Sequence, residues 1–396
     1  MVKRFSVALL TISLVFSSTQ ASAAPKLIVV KEMIAINLAE PITADTKMIS
    51  VGTSIVLLNE SNVRAIGIDG VEKWRLELTQ GAASIATALA ADSVGNIWVA
   101  GTSANVRDVV PTDALSTAPI NPDNVIVDPK LPGRADLTIT TLWKVSNSGA
   151  LLSTYTSDNL SPMLVNSIAL NAKGFTLGGI QATENGNSGV VISGSLDGKF
   201  SKPIYLGKSD TSIDVVVRGT DSTVYAMGSS AETLAGKKVA GYRDGLIAKY
   251  SSTGKLMALV RSSASKAKRE WISATSNLFL TGSVQTGTKY ESALTKFAPN
   301  LAPTWTYRFA STRVTVAAIG PNNSQFAAFV SKSAIKGLSN WKPSKPTALV
   351  LTFDSKGALV GATSASGAPI ALAYSKDLGL TLMSTSQTGV SIFRLT

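Results

Sequence analysis

GYRDGLIAKYSSTGKLMALVR, residues 241–261, holds two short apolar runs around a Ser/Thr-rich turn that closes at Gly254. Runs of this length, bounded by small turn residues, are the pattern of a β-hairpin rather than a helix. An isolated hairpin cannot hide its apolar face, so the rest of the chain is where its partners must be found. Similar units, a strand, a turn usually ended by Gly, and a second strand, recur at 63–78, 137–155, 190–206, 293–307 and 348–363, with a shortened one at 390–395. The turn glycines are Gly70, Gly149, Gly198, Gly254 and Gly357, where a positive φ is readily adopted.

A second hairpin type ends a strand in Gly followed by Ser or Thr. It reads IWVAGT at 97–102, VYAMGS at 224–229 and LFLTGS at 278–283, with weaker copies at 55–59, 175–179, 326–330 and 380–384. Equivalent positions 179, 228, 282, 330 and 384 repeat about every 50 residues. A period near 50 with about four strands per unit predicts an all-β fold, a seven-bladed β-propeller of four-stranded blades. Residues 103–135, rich in Pro and Asp and without strand alternation, read as a loop inserted in blade two. The last unit stops at Thr396 one strand short, and KLIVVKEMIAIN at 26–37 is strand-like without a blade of its own. The expectation is that this N-terminal strand closes the last blade and removes its exposed edge.

Residues 1–23 have the form of a cleavable signal peptide. Lys3 and Arg4 precede the apolar run FSVALLTISLVF, and Ala21-Ser22-Ala23 supplies small residues for cleavage. Domain organisation is therefore expected as a leader at 1–23 and a propeller at 24–396, exported to the cell envelope or beyond. No membrane span is expected after cleavage.

The 396 residues contain no Cys and no His, which removes Ser-His-Asp and Cys-His catalysis, thiolate chemistry and Cys/His zinc sites. No cofactor is expected. With 37 basic against 25 acidic residues the net charge is +12, which suits anionic surroundings such as wall polymers, acidic polysaccharide or lipid headgroups, with a surface protein as a further candidate partner, and equally suits a plainly solvated lysine-rich surface. Nucleic acid is not an expected partner of an exported protein, and a monomer is expected.

The units resemble the bacterial seven-bladed β-propeller repeat (SBBP-type). Asp92-Ser93-Val94-Gly95-Asn96 before the 97–102 strand matches the first half of that repeat, and Asp244-Gly245-Leu246-Ile247-Ala248-Lys249-Tyr250 with Gly254 matches the second. Blade one, with Ala65-Ile66-Gly67-Ile68-Asp69-Gly70 and Trp74, is similar to pyrroloquinoline-quinone-type repeats, in which the Trp packs between blades. The resemblance implies a propeller across 26–396. Such repeats serve adhesion, scaffolding and catalysis alike, so it implies little about activity.

Loops between the second and third strands of each blade share a face with the connections between blades. The longest are 103–135, 230–243 and 331–346, and long loops on a rigid ring are where binding usually resides. The two later loops carry Lys237, Lys238, Tyr242 and Arg243, then Lys332, Lys336, Trp341, Lys342 and Lys345. Cations among aromatics suit an anionic glycan or nucleic acid, and equally a solvated lysine-rich loop. Asp108, Asp113, Asp123 and Asp128 are candidate oxygen ligands for Ca²⁺, although their spacing matches no compact calcium loop and the interspersed prolines fit a rigid extended loop. The expected function is a non-enzymatic exported scaffold that binds through the long-loop face. The alternative is a carboxylate-dependent extracellular carbohydrate-active enzyme, with Asp45, Asp214 and Glu270 as candidate acids on innermost strands.

Overall fold

The computed structural model describes residues 27–78, 83–104, 136–312, 314–339 and 341–395. Strands dominate the described residues, and the one short 3₁₀ turn is Pro321–Asn323. Mostly antiparallel sheets stand around a central axis, each running outward from an innermost strand. The innermost strands are Lys47–Val51, Ser84–Ala91, Met163–Asn171, Thr211–Arg218, Lys268–Ala274, Thr315–Ile319 and Ala368–Ser375. The ring closes where the last sheet meets the first. There Ser50 Oγ lies 3.0 Å from Thr381 Oγ1, and Ser375 Oγ donates to the Gly52 carbonyl at 3.0 Å. This is a β-propeller.

The expected seven four-stranded blades are not what the chain forms: among the described residues the four-stranded blades number six, and one N-terminal strand does not close the ring. Six sheets have four strands, and the remaining sheet has six. The cause is the N-terminal segment, which divides into β1 (Ile28–Glu32) and β2 (Ile34–Ile36). Only β2 pairs with the C-terminal strand Gly389–Arg394, antiparallel, with Ala35 opposite Phe393. β1 joins the preceding sheet instead, parallel to Leu359–Ala365, with Val30 opposite Ala362. The short strand Leu338–Ser339, from within the 331–346 loop, then pairs parallel on the other side of β1.

Core residues gather between neighbouring sheets rather than at one centre. Val56 and Leu58 of one sheet meet Val99 and Trp143 of the next, and this arrangement repeats around the ring. Most of the innermost strands carry a register shift near the middle, for example between Val165 and Ser167 and between Trp271 and Ser273. A bulge turns polar side chains toward the next sheet. Ser167 Oγ accepts from the Val216 N–H at 3.1 Å, and Ser273 Oγ accepts from the Ala317 N–H at 3.2 Å.

Outer strands also reach forward. Trp74 lies against the turn at Gly149 and donates its indole N–H to the Asn147 carbonyl at 2.9 Å, which makes it an inter-sheet packing residue. The bases next to core aromatics behave similarly. Trp143, Tyr250 and Phe297 are buried, while Lys144 lies 5.1 Å over the Trp98 ring and Lys249 5.4 Å over the Tyr225 ring.

Candidate binding face

The opening hairpin positions one of the long loops. Asp244, fully buried at the start of strand Asp244–Tyr250, accepts from the N–H groups of Ala240 and Gly241 at 3.0 Å each. Its counter-ion is Arg261 on the outer strand Leu256–Ser262, with 3.6 Å between Nη1 and Oδ2. Arg261 also donates to the carbonyls of Lys237, Ser230 and Glu232. Glu232 in turn accepts from the N–H groups of Lys208, Ser209 and Asp210 and from the Thr211 hydroxyl. Burial opposes ionisation of Glu232, but these hydrogen bonds outweigh it and hold its carboxyl below the usual range. The loop is thus a fixed platform.

The loop reaches the next sheet as well. The Tyr242 N–H donates to the Ala267 carbonyl and the Arg269 N–H to the Arg243 carbonyl, both at 2.9 Å. Lys237 and Lys238 are exposed, and Tyr242 is 66% exposed. Arg243 is engaged: its guanidinium pairs with Asp210 and donates to Ser229 Oγ. On the later loop Lys332, Lys336, Lys342 and Lys345 are exposed. Trp341 is half-buried, donates to Ser331 Oγ at 2.9 Å and packs against the core beside it.

Between these loops the structure brings in Lys266 from a connection between sheets, Lys268 from the start of the strand Lys268–Ala274, and Lys289 from beside a hairpin tip, all exposed. They complete a lysine arc over three consecutive sheets. Their position at strand ends opposite the Gly-ended turns was the available sequence signal. Carboxylates on the same arc are engaged: Asp210 by Arg243, Glu232 by backbone, Glu291 by Arg308. On the opposite face Asp69, Asp92, Asp221 and Asp354 fold their turns by accepting local N–H groups.

The candidate acids are separated by role. Asp45 is exposed in the turn before Lys47–Val51, and Asp214, at the bulge of its strand, accepts from Ser212 Oγ at 2.5 Å. Glu270 faces Ser283 Oγ at 3.5 Å. None of the three borders the central cavity of about 340 Å³, which is walled by residues such as Met48, Leu89, Ile168, Val316 and Leu372. Asp108, Asp113, Asp123 and Asp128 lie outside the described residues, as does the 1–23 leader. Among the described residues there is no group of three or more acidic ligands suited to a metal, and no helix long and apolar enough to cross a membrane.

No family model matches the sequence, and no curated protein does. Among solved structures the chain is similar to BBS1N in complex with ARL6DN, at 10% identity and a TM-score of 0.48, over 93% of this chain and 98% of that one. It is similar to BamB from Moraxella catarrhalis at 10% identity and 0.47, over 92% and 100%. A protein of unknown function from Bacteroides caccae follows at 11% and 0.41, over 86% and 94%. Likeness at these identities concerns shape alone.

Proposed function

We propose that the protein is an exported, non-catalytic β-propeller that binds an anionic polymer of the cell envelope through its long-loop face, in keeping with the SBBP-type look of its repeats. The observation that carries this reading is the lysine arc from Lys237 to Lys345, whose neighbouring carboxylates are already engaged. Uncompensated cations held on rigid loops attract polyanions at low ionic strength. Tyr242 adds one open aromatic surface at the edge of the arc.

The test is retention of the purified protein on an acidic polysaccharide and on a neutral one. Retention is expected on the acidic matrix only. It should disappear near 1 M salt, where the screening length falls to about 3 Å. Reversing Lys237, Lys238, Lys342 and Lys345 to Glu together should weaken binding by at least about tenfold. Equal retention on both matrices, or indifference to the four reversals, would remove the proposal.

A further inference from the structure

At the outer end of the same arc, a cavity of about 490 Å³ opens between the outer strand Pro303–Ala310 and the turn formed by residues 333–337. Its wall is aromatic and fixed. Tyr307 donates its hydroxyl to the Gly357 carbonyl at 2.8 Å and stacks on Phe353 at 5.2 Å, while Phe309 stacks on Phe329 at 5.1 Å and 9°. Ile28 of β1 and Leu359 supply the aliphatic side. The 333–337 turn is anchored because the Ile28 N–H donates to the Gly337 carbonyl at 2.9 Å and Leu338 pairs with Ile28.

Two cations and no carboxylate border the cavity. Arg308 is held by Glu291. Lys336 is exposed and, among the described residues, has no ion-pair partner. The volume falls within the range of small-molecule sites, and the lining is mostly apolar with a few polar groups among it. One uncompensated cation at the mouth of a rigid apolar cavity matches a monoanionic head on an apolar tail.

We infer that this cavity is a binding site for a single-chain acyl carboxylate, its chain against Tyr307 and Phe309 and its carboxylate at Lys336. The site does not depend on polymer binding by the rest of the arc, and the two can be separated.

Calorimetric titration of the full chain with dodecanoate, below its micelle-forming concentration, tests the inference. Saturable binding to one site is expected. Ala334→Trp, which fills the cavity from the turn, should weaken it by about tenfold or more. Ala310→Trp fills it from the opposite wall, so failure of one variant to fold leaves the other as the test. Lys336→Glu should weaken dodecanoate about fivefold and leave dodecanol unchanged. Lys237→Glu, remote from the cavity, should have no effect. Absence of saturable binding, or binding that both folded Trp variants leave intact, overturns the site. Equal loss of dodecanoate and dodecanol in Lys336→Glu, or loss of neither, overturns the carboxylate assignment.

Discussion

Arg261 and Arg269 are arginines withdrawn from solvent on neighbouring sheets, and they are satisfied very differently. Arg261 neutralises the buried Asp244 and donates to three loop carbonyls. Arg269 lies 4.5 Å over the Trp271 ring, its Nε has no acceptor among the described residues, and its guanidinium reaches Thr295 Oγ1 only at 3.5 Å. Burial, with Arg308 nearby, pushes its pKa down to about 10. Breaking a buried ion pair strands a charge, whereas removing an uncompensated one does not. Arg261→Met is therefore expected to lose about 3–5 kcal/mol in urea unfolding, and Arg269→Met to be neutral or stabilised by about 1 kcal/mol or more. Equal losses would refute the contrast.

Glu232 gives the pH-dependent counterpart. Its folded pKa lies below the ordinary 4.5, so between the two values the unfolded chain binds more protons. The stabilisation is complete above pH 4.5 and is lost as pH falls through the folded pKa. Glu232→Gln should cost on the order of 1 kcal/mol at neutral pH, and the gap from the parent should close in acid. A gap that persists in acid would mean that packing, not charge, is what Glu232 supplies.

At the scale of elements, the hairpin turns were legible and the edge pairings were not. Gly70, Gly149, Gly198, Gly254 and Gly357 all have φ between 83° and 89°, because a tight turn imposes that geometry locally and only glycine adopts it without strain. Gly149 carries a second constraint that no local pattern reveals: a Cβ there would meet the Trp74 ring at 2.7 Å. Gly287, at a hairpin tip with φ 57°, would meet nothing within 4 Å. Gly149→Ala is expected to cost about 3 kcal/mol and Gly287→Ala about 1 kcal/mol, measured by thermal unfolding. Similar costs would show that turn strain, not the Trp74 contact, governs the position. Likewise the lysines of the long loops were readable as a face, but the engagement of Arg243 was not, since Asp210 reaches it from another connection. The division of residues 27–37 into two strands was invisible because no turn residue marks it. The break is Met33, which is buried while Ile34 and Ala35 on its C-terminal side are exposed.

For the whole molecule, that break is where the ring is secured. β1 belongs to the six-stranded sheet and β2 to the last four-stranded one, so Met33 spans two neighbouring sheets. Its N–H donates to the Ser364 carbonyl at 2.9 Å, and its side chain, 4% exposed, sits among Val316, Phe326 and Val350 of one sheet and Leu372, Leu382 and Phe393 of the other. The segment therefore staples two sheets through one buried side chain while covering an outer edge of each. Met33→Ala removes that contact but keeps both strands, and a cost of about 2–5 kcal/mol is expected. Deleting residues 27–37 removes the strands too and should lower the melting temperature further. Hydrogen exchange should then rise at Ala362–Ser364 and Ile392–Arg394, the segments that β1 and β2 cover, before it rises in the distant strand Gly174–Thr183. A deleted chain that melts with the intact one, or whose exchange rises evenly around the ring, would show that the propeller closes on its innermost strands alone.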